Sequence, residues 1–154
     1  MREILFRGQT RRYGEKVTWS GKKIKSNWVY GGIFPQNGEG DFAIIYQQKP
    51  TVEKYPVYAD TVGQYTGMKD KNGAKIFEGD ILAFDYMDGS KGIYEVFWDG
   101  NNGKFAIAAS GNRNCVDDFK LFDELFERNE YFKLFEVIGN IFDNPGWVGD
   151  ENNV

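Results

Sequence analysis

The chain has 154 residues, a net charge of −4 and a pI near 5.0, with 17% aromatic residues and 19 glycines, which is about one domain with a buried core. It contains one cysteine, Cys115, and no histidine, which excludes an internal disulfide and any histidine-dependent triad or zinc centre within one chain. No run approaches the ~20 apolar residues that span a bilayer, and the start MREILFRGQT lacks the apolar core of a secretory signal, so we expect a cytoplasmic protein with no membrane partner.

The first third of the chain is predicted to hold two strands separated by a long polar loop. Arg2–Arg7 alternates Ile4 and Phe6 with charged residues, which is the period of a strand. Gly8–Ser26 is polar and indicates a loop or an irregular hairpin. Trp28–Phe34, with the sequence WVYGGIF, predicts a strand whose two glycines mark a bulge or the close approach of another backbone.

The middle of the chain is predicted to consist of short strands joined by tight turns. Asp41–Gln47 indicates a buried strand, and Pro50 and Pro56 interrupt the segment that follows it. From Thr61 onward, Asn-Gly, Asp-Gly and similar turns separate alternating segments, as in small barrels and strongly bent sheets. The predicted strands in this region are residues 62–67, 75–77, 81–84, 92–98 and 104–109.

The last third is predicted to add one helix and one strand. A helix near residues 117–132 follows from apolar residues repeated at three and four positions after a capping aspartate. Leu134–Phe142 returns to strand character, and residues 146–154 form an acidic tail that we expect to fray. The sequence therefore predicts one mainly β domain over residues 1–145, a small, strongly bent or partly open β-barrel with an SH3-like core and one helix.

The acidic total charge hides a basic N-terminal third and an acidic C-terminal third. Basic side chains interleaved with aromatic ones suit phosphate contacts and base stacking, although solvated charges around a core of aromatics explain the same pattern. The candidate nucleic-acid-binding residues are Arg7, Arg11, Arg12, Lys22, Lys23 and Lys25. The WVYGGIF segment supplies a candidate interaction surface for a protein, formed by Trp28, Tyr30 and Phe34.

The Asp, Asn and Gly loops do not match the spacing of ligand-binding loops. An EF-hand loop has Gly at position six and Glu at position twelve, but counting from Asp99 gives Lys104 and Ser110, and counting from Asp70 also fails. The glycine at 67 lacks the spacing of a phosphate loop. We therefore interpret these residues as turn formers and predict no metal, no cofactor and no catalytic residue.

Four segments carry a family resemblance. MREILFRG, WVYG, VGQYTGMKDKNGAKIFEGDIL and EVIGNIFDNP, in this order, resemble the YopX-type family of proteins encoded by phages and prophages. The resemblance runs from Met1 to Pro145, is most specific over Gly63–Leu82, and leaves residues 47–60 and 100–116 unmatched. It implies a phage or prophage protein in the cytoplasm of a bacterial host, and it brings no catalytic residue.

These observations predict a non-catalytic binding or assembly protein that acts through protein–protein contacts. Opposite charge at the two ends of the chain and its many aromatic residues favour a homo-oligomer with heterologous contacts. A host or phage protein is the expected partner. The alternatives are a nucleic-acid-binding protein that uses the basic N-terminal third and, less favoured, an enzyme that uses carboxylates.

Overall fold

The structure, a computed structural model, describes residues 3–10, 27–34, 40–48, 50–109, 119–121 and 135–147. These residues are mainly β strand, in two antiparallel sheets, and their helical elements are two 3-10 turns, Ala59–Thr61 and Pro145–Trp147. The chain divides by its internal contacts into two compact units, residues 1–65 (unit 1) and residues 66–154 (unit 2). The single domain expected over residues 1–145 stays a prediction.

Unit 1 is built on one antiparallel sheet. Its strands are β1 (Phe6–Gln9), β2 (Trp28–Phe34), β3 (Phe42–Gln47), β4 (Glu53–Tyr58) and β5 (Gly63–Lys69), the last of which continues into unit 2. The strand order is β4-β3-β2-β1-β5. β2 has the predicted bounds. β1 begins at Phe6 rather than at Arg2, because its pairing with β2 starts at Phe6, opposite Gly31, and Ile4 stays 70% exposed.

The sequence did not predict β4, because two prolines interrupt its segment. Pro56 lies within this strand, opposite Ile44 of β3. A proline has no N–H to donate, so it is tolerated in a strand with only one neighbour. β4 is the terminal strand in the order given by the described residues, which explains why a proline fits there.

One face of this sheet forms the core of unit 1, with the buried side chains Val29, Ala43, Ile45, Tyr55 and Val57. Burying a large aliphatic or aromatic side chain contributes about 1.5–3 kcal/mol, so this cluster holds β2, β3 and β4 together. The predicted burial of β3 is confirmed for Ala43 and Ile45 only. Successive side chains of a strand point to opposite faces, and Phe42 is 50% exposed.

The two glycines within β2 mark a close approach of β3, as predicted. A Cβ atom at Gly31 would overlap the backbone carbonyl of Tyr46, and one at Gly32 would overlap the ring of the same residue. β2 pairs with β1 as far as Gly31 and with β3 from Gly32 onward. The glycines therefore sit where β2 changes its partner.

Unit 2 is built on a second antiparallel sheet. Its further strands are β6 (Lys75–Phe77), β7 (Asp80–Asp85), β8 (Lys91–Asp99), β9 (Lys104–Ala109), β10 (Phe119–Leu121) and β11 (Phe135–Asn140). The order of this sheet is β10-β9-β8-β7-β11, while β6 pairs with β5 and is the last strand of the first sheet. The core cluster of this unit is Ile76, Leu82, Val96, Phe105, Ile107 and Phe135.

Two expectations about the architecture need correction. Neither sheet closes into a barrel in the described part of the chain, and the predicted SH3-like core is not confirmed. Short strands and tight turns specify antiparallel pairing, but they do not specify closure. Of the helix predicted near residues 117–132, Phe119–Leu121 form strand β10 against β9, and the other residues lie outside the described ranges. Pairing with a neighbouring strand overrides the helical spacing of the apolar residues there.

Candidate interaction face on unit 1

The face of β2, β3 and β4 opposite the core carries six aromatic side chains, one of which, Trp28, lies under Arg7. We call the other five the aromatic face: Tyr30, Phe34, Phe42, Tyr46 and Tyr58. Phe42, Tyr30 and Phe34 are 50%, 42% and 39% exposed. Phe42 lies opposite Tyr58 across β3 and β4, with ring centroids 5.1 Å apart. Single exposed apolar residues are ordinary, but a contiguous set marks an interaction surface.

A groove lies at one end of the aromatic face. It has a volume of about 440 Å³ and is lined by Ile33, Phe34, Tyr46, Gln48 and Val52. The rings of Phe34 and Tyr46 are tilted by 53° with centroids 4.9 Å apart, which is a favourable aromatic geometry. Of the lining residues within the described ranges, four of five are apolar or aromatic, so the groove suits an apolar group with one amide at its wall.

The groove is supported by contacts that fix its rings. The Tyr46 ring packs directly against Gly32, where any larger residue would displace it. The side-chain amide of Gln47 donates to the backbone carbonyl of Tyr30 at 2.8 Å. The Tyr55 hydroxyl in turn donates to the side-chain oxygen Oε1 of Gln47 at 3.3 Å. Burial, with a smaller contribution from a neighbouring glutamate, raises the pKa of Tyr55, so this hydroxyl keeps its proton and its donor role.

One cation stands at the rim of the groove. The Lys54 ammonium lies over the Phe34 ring, 5.3 Å from its centroid, and Lys54 is opposite Tyr46 in the strand register. Among the described residues it forms no ion pair with a carboxylate. A cation over an aromatic face is attracted by the ring quadrupole, which holds the charge beside the groove.

The predicted surface of Trp28, Tyr30 and Phe34 is brought together in part. Tyr30 and Phe34 belong to the aromatic face, but Trp28 is half-buried and lies under the guanidinium of Arg7, 4.8 Å from its ring centroid. Phe42 lies on the same face, and the strand pattern of β3 carries the signal for it: Phe42 alternates with buried Ala43.

The basic set is not assembled by the described residues. Arg7 is only 5% exposed, since it covers Trp28 and lies opposite Tyr30 in the register. Its guanidinium is therefore withdrawn from the surface that a phosphate backbone would contact. The other five predicted members, Arg11, Arg12, Lys22, Lys23 and Lys25, lie outside the described residues.

In unit 2 the acidic loop residues hold turns. Asp70 is 7% exposed, and one oxygen of its carboxylate accepts the N–H groups of Asn72 and Ala74, both at 2.8 Å. Its second oxygen accepts the N–H of Val137 at 3.0 Å. Gly73 has a φ of 82°, the left-handed conformation that glycine adopts without strain. Asp70 thus fastens the Asn-Gly turn to β11.

Two further turns use the same chemistry. Asp99 accepts the N–H of Asn101 at 3.0 Å, and its other oxygen accepts from the Asn102 amide. The side-chain oxygen of Asn140 accepts the N–H groups of Phe142 at 3.0 Å and Asp143 at 2.9 Å. These bonds occupy the loop oxygens that an ion-binding loop would offer, in agreement with their interpretation as turn formers.

A charged network lies on the surface of unit 2. Lys71 contacts Glu136 at 2.7 Å, and Lys91 contacts Asp85 at 3.0 Å. The pKa of Asp85 is lowered by its hydrogen bond with Lys91 and, to a smaller extent, by the charge of that lysine. The pKa of Lys71 is raised, chiefly by its hydrogen bond with Glu136. Exposed pairs of this kind contribute little to stability, and nothing in their geometry indicates a ligand.

The described residues also bear on other function classes. In these ranges, no three acidic or cysteine side chains are close enough to ligate one metal ion. The helices in the same ranges are single 3-10 turns, and none has the length and apolarity needed to cross a membrane.

Comparison with known proteins gives a family match and matches to solved structures. A family model described as YopX protein matches residues 18–148. A crystal structure of protein EF1440 from Enterococcus faecalis is similar at 23% sequence identity and a TM-score of 0.47, covering 96% of this chain and 99% of that chain. No curated protein matches the chain.

Proposed function

The chain belongs to the YopX family, and we propose that it is a phage- or prophage-encoded, non-catalytic binding protein of the host cytoplasm that contacts another protein through the aromatic face. The observation that carries this proposal is the exposure of Phe42, Tyr30 and Phe34, at 50%, 42% and 39%, on a sheet whose other face is a core. Exposed rings on a rigid support are the usual anchors of protein–protein interfaces.

The support beneath these rings favours binding over simple tolerance of exposed apolar residues. The Tyr46 ring packs against Gly32, and Gln47 holds the main chain of Tyr30 through its carbonyl, so the strands that carry these rings are held in place before a partner binds. Immobilising a flexible side chain costs about 0.5–1.5 kcal/mol on association. A face that is already ordered avoids much of this cost.

Nucleic-acid binding is the alternative, and the described residues favour it less. Arg7 is buried, and the net charge of −4 repels a polyanion at long range. Fluorescently labelled single- and double-stranded DNA and RNA, titrated at low and high salt, separate the two functions. Tight binding that weakens steeply with salt would move the assignment to nucleic acid.

The test of the protein-binding function compares three forms of the full chain as bait in a lysate of the bacterial host. Wild type and Met87→Ser should retain the same partner, because Met87 is fully exposed, belongs to unit 2 and is not a residue of the aromatic face. Phe34→Ser should lose that partner while its circular dichroism spectrum matches wild type. A partner that Phe34→Ser retains as well as wild type would contradict the proposal.

We also propose that the protein self-associates, because its charge is distributed asymmetrically along the sequence. A basic N-terminal third and an acidic C-terminal third on each copy favour head-to-tail contacts between copies. Light scattering at tens of micromolar should show a species larger than one chain that dissociates in high salt. A monomer at every salt concentration would contradict this part of the proposal.

The absence of catalysis completes the proposal. The chain has no histidine, and the buried acids Asp70 and Asp99 accept hydrogen bonds from their own turns. Purified protein should show no hydrolase or nuclease turnover in a broad screen. Turnover that disappears on replacing a single carboxylate would support the enzyme alternative instead.

A further inference from the structure

Resting on the proposed function, we infer the chemistry of the partner: the groove on the aromatic face takes a short linear peptide with a large apolar side chain next to an acidic one. The apolar side chain fills the space lined by Phe34, Tyr46 and Val52, and the carboxylate lies beside Lys54.

The size and lining of the groove determine the first part of this ligand. A volume of about 440 Å³ lies within the ~300–1,000 Å³ range of sites that hold a compact ligand. It is larger than one water or ion needs. Its walls are the rings of Phe34 and Tyr46 with the aliphatic side chains of Ile33 and Val52, so an aromatic or branched aliphatic side chain is the matching group.

Charge determines the second part. Lys54 is the charged side chain at the rim of the groove, and in the described part of the chain no carboxylate pairs with it. The two acids nearest to Lys54 in the sequence are on the other face or at the other end of β4: Glu53 alternates with Lys54, and Asp60 lies in the 3-10 turn that follows the strand. An acidic group on the ligand meets a cation at the groove, and a basic group meets repulsion.

The exposed area favours a short segment over a second copy of the chain. An aromatic side chain offers ~150–250 Å² when fully buried, so three rings exposed by 39–50% present on the order of 300 Å². A stable interface between two proteins needs about 800 Å² on each partner. The face alone is too small for a second copy, but it accommodates an anchor residue and its neighbours.

The test selects ligands for the full chain from a display library of random linear 12-residue peptides. Enriched peptides should share a large apolar residue within two positions of Asp or Glu. Synthetic versions are then titrated by fluorescence anisotropy against wild type, Phe34→Ser, Lys54→Glu and the control Lys69→Glu, since Lys69 is an exposed lysine of unit 2.

The variants have distinct expected effects. Phe34→Ser should weaken binding at least ~30-fold, as removal of a hot-spot ring does. Lys54→Glu should weaken it roughly three- to tenfold, as for an exposed charge pair that is reversed, and should bind peptides whose acids are changed to lysine better than wild type does. Lys69→Glu should bind like wild type.

The outcomes separate this inference from the function on which it rests. Peptides that lose affinity for Phe34→Ser, but show no acidic preference and no response to Lys54→Glu, would overturn the inference and leave the binding function standing. If no peptide is enriched, or if the enriched peptides bind Phe34→Ser as well as wild type, the inference is overturned. The aromatic face then also loses this support as the binding surface. Displacement of a bound peptide by a single-stranded oligonucleotide would assign the face to nucleic acid.

Discussion

Unit 1 and unit 2 use the same residue types for opposite purposes. In unit 2, the carboxylate of Asp70 is buried in a turn and the ring of Phe135 is in the core. In unit 1, the rings of Phe34 and Phe42 remain open to solvent on the face opposite the core. The segment with the strongest sequence pattern, Gly63–Leu82, therefore has a structural role. The candidate interaction surface comes from β2, β3 and β4, whose sequence pattern is weaker.

The largest expected effect comes from one substitution made in both units. Phe135→Ala should lower the free energy of unfolding by about 3–5 kcal/mol, because a ring only 4% exposed leaves a cavity in the core. Phe42→Ala should lower it by about 1 kcal/mol or less, because only its pairing with Tyr58 is lost. Urea unfolding followed by circular dichroism measures both. Similar losses for the two variants would break the distinction between core and face.

The next effect tests the support of the aromatic face. Gly31→Ala should cost about 3 kcal/mol, because the added methyl group overlaps the Tyr46 carbonyl and pushes β2 from β3. Gly100→Ala is the matched control, since nothing lies within 4 Å of its added Cβ, and it should change stability by less than ~0.5 kcal/mol. Equal stability of the two variants would show that β2 and β3 are not in close contact at Gly31.

A smaller effect tests the frame of unit 2. Asp70→Asn should lower stability by about 2 kcal/mol, because an amide presents an NH₂ group to one of the backbone donors that the two carboxylate oxygens now accept. Asp88→Asn is the control, because its bonds to Ser90 are exposed. The thermal midpoint of each variant gives the comparison. A midpoint for Asp70→Asn equal to that of Asp88→Asn would mean that Asp70 does not hold the turn.

The smallest effect is on pH dependence. The pKa of Asp85 is lowered in the folded state by its hydrogen bond with Lys91, so its contribution is present above the unfolded pKa of about 4 and is lost as pH falls through the folded pKa. Asp85→Asn should melt slightly below wild type at pH 7 and low salt. The difference should shrink as pH falls through the lowered folded-state pKa of Asp85, and it should also shrink in high salt. A difference that persists in acid would assign it to packing instead.

The sequence predicted the strands of both sheets better than their arrangement. The WVYGGIF segment predicted β2 and the close approach at Gly31, because only glycine leaves room for the backbone of the neighbouring strand at that distance. The spacing of Asn-Gly and Asp-Gly turns located the strands of unit 2. Closure into a barrel was not predictable in this way, because it depends on register and curvature between strands that are distant in sequence.

The candidate site was half predicted. Tyr30 and Phe34 are exposed in the structure, and their role as an interaction surface stays a prediction. Trp28 is partly covered by Arg7, which comes from another strand and so could not be paired with it from the sequence. Tyr46 and Lys54 were missed for the same reason. Their role follows from the pairing of β3 with β4, and β4 was not predicted because of its proline.

That proline has a consequence for how copies of the protein behave at high concentration. An open row of backbone groups beside an apolar surface is the arrangement from which fibrils grow, since each new chain extends the ladder. Pro56 offers no N–H to such an incoming strand. The protein therefore keeps a set of accessible rings while its adjoining strand resists templated aggregation.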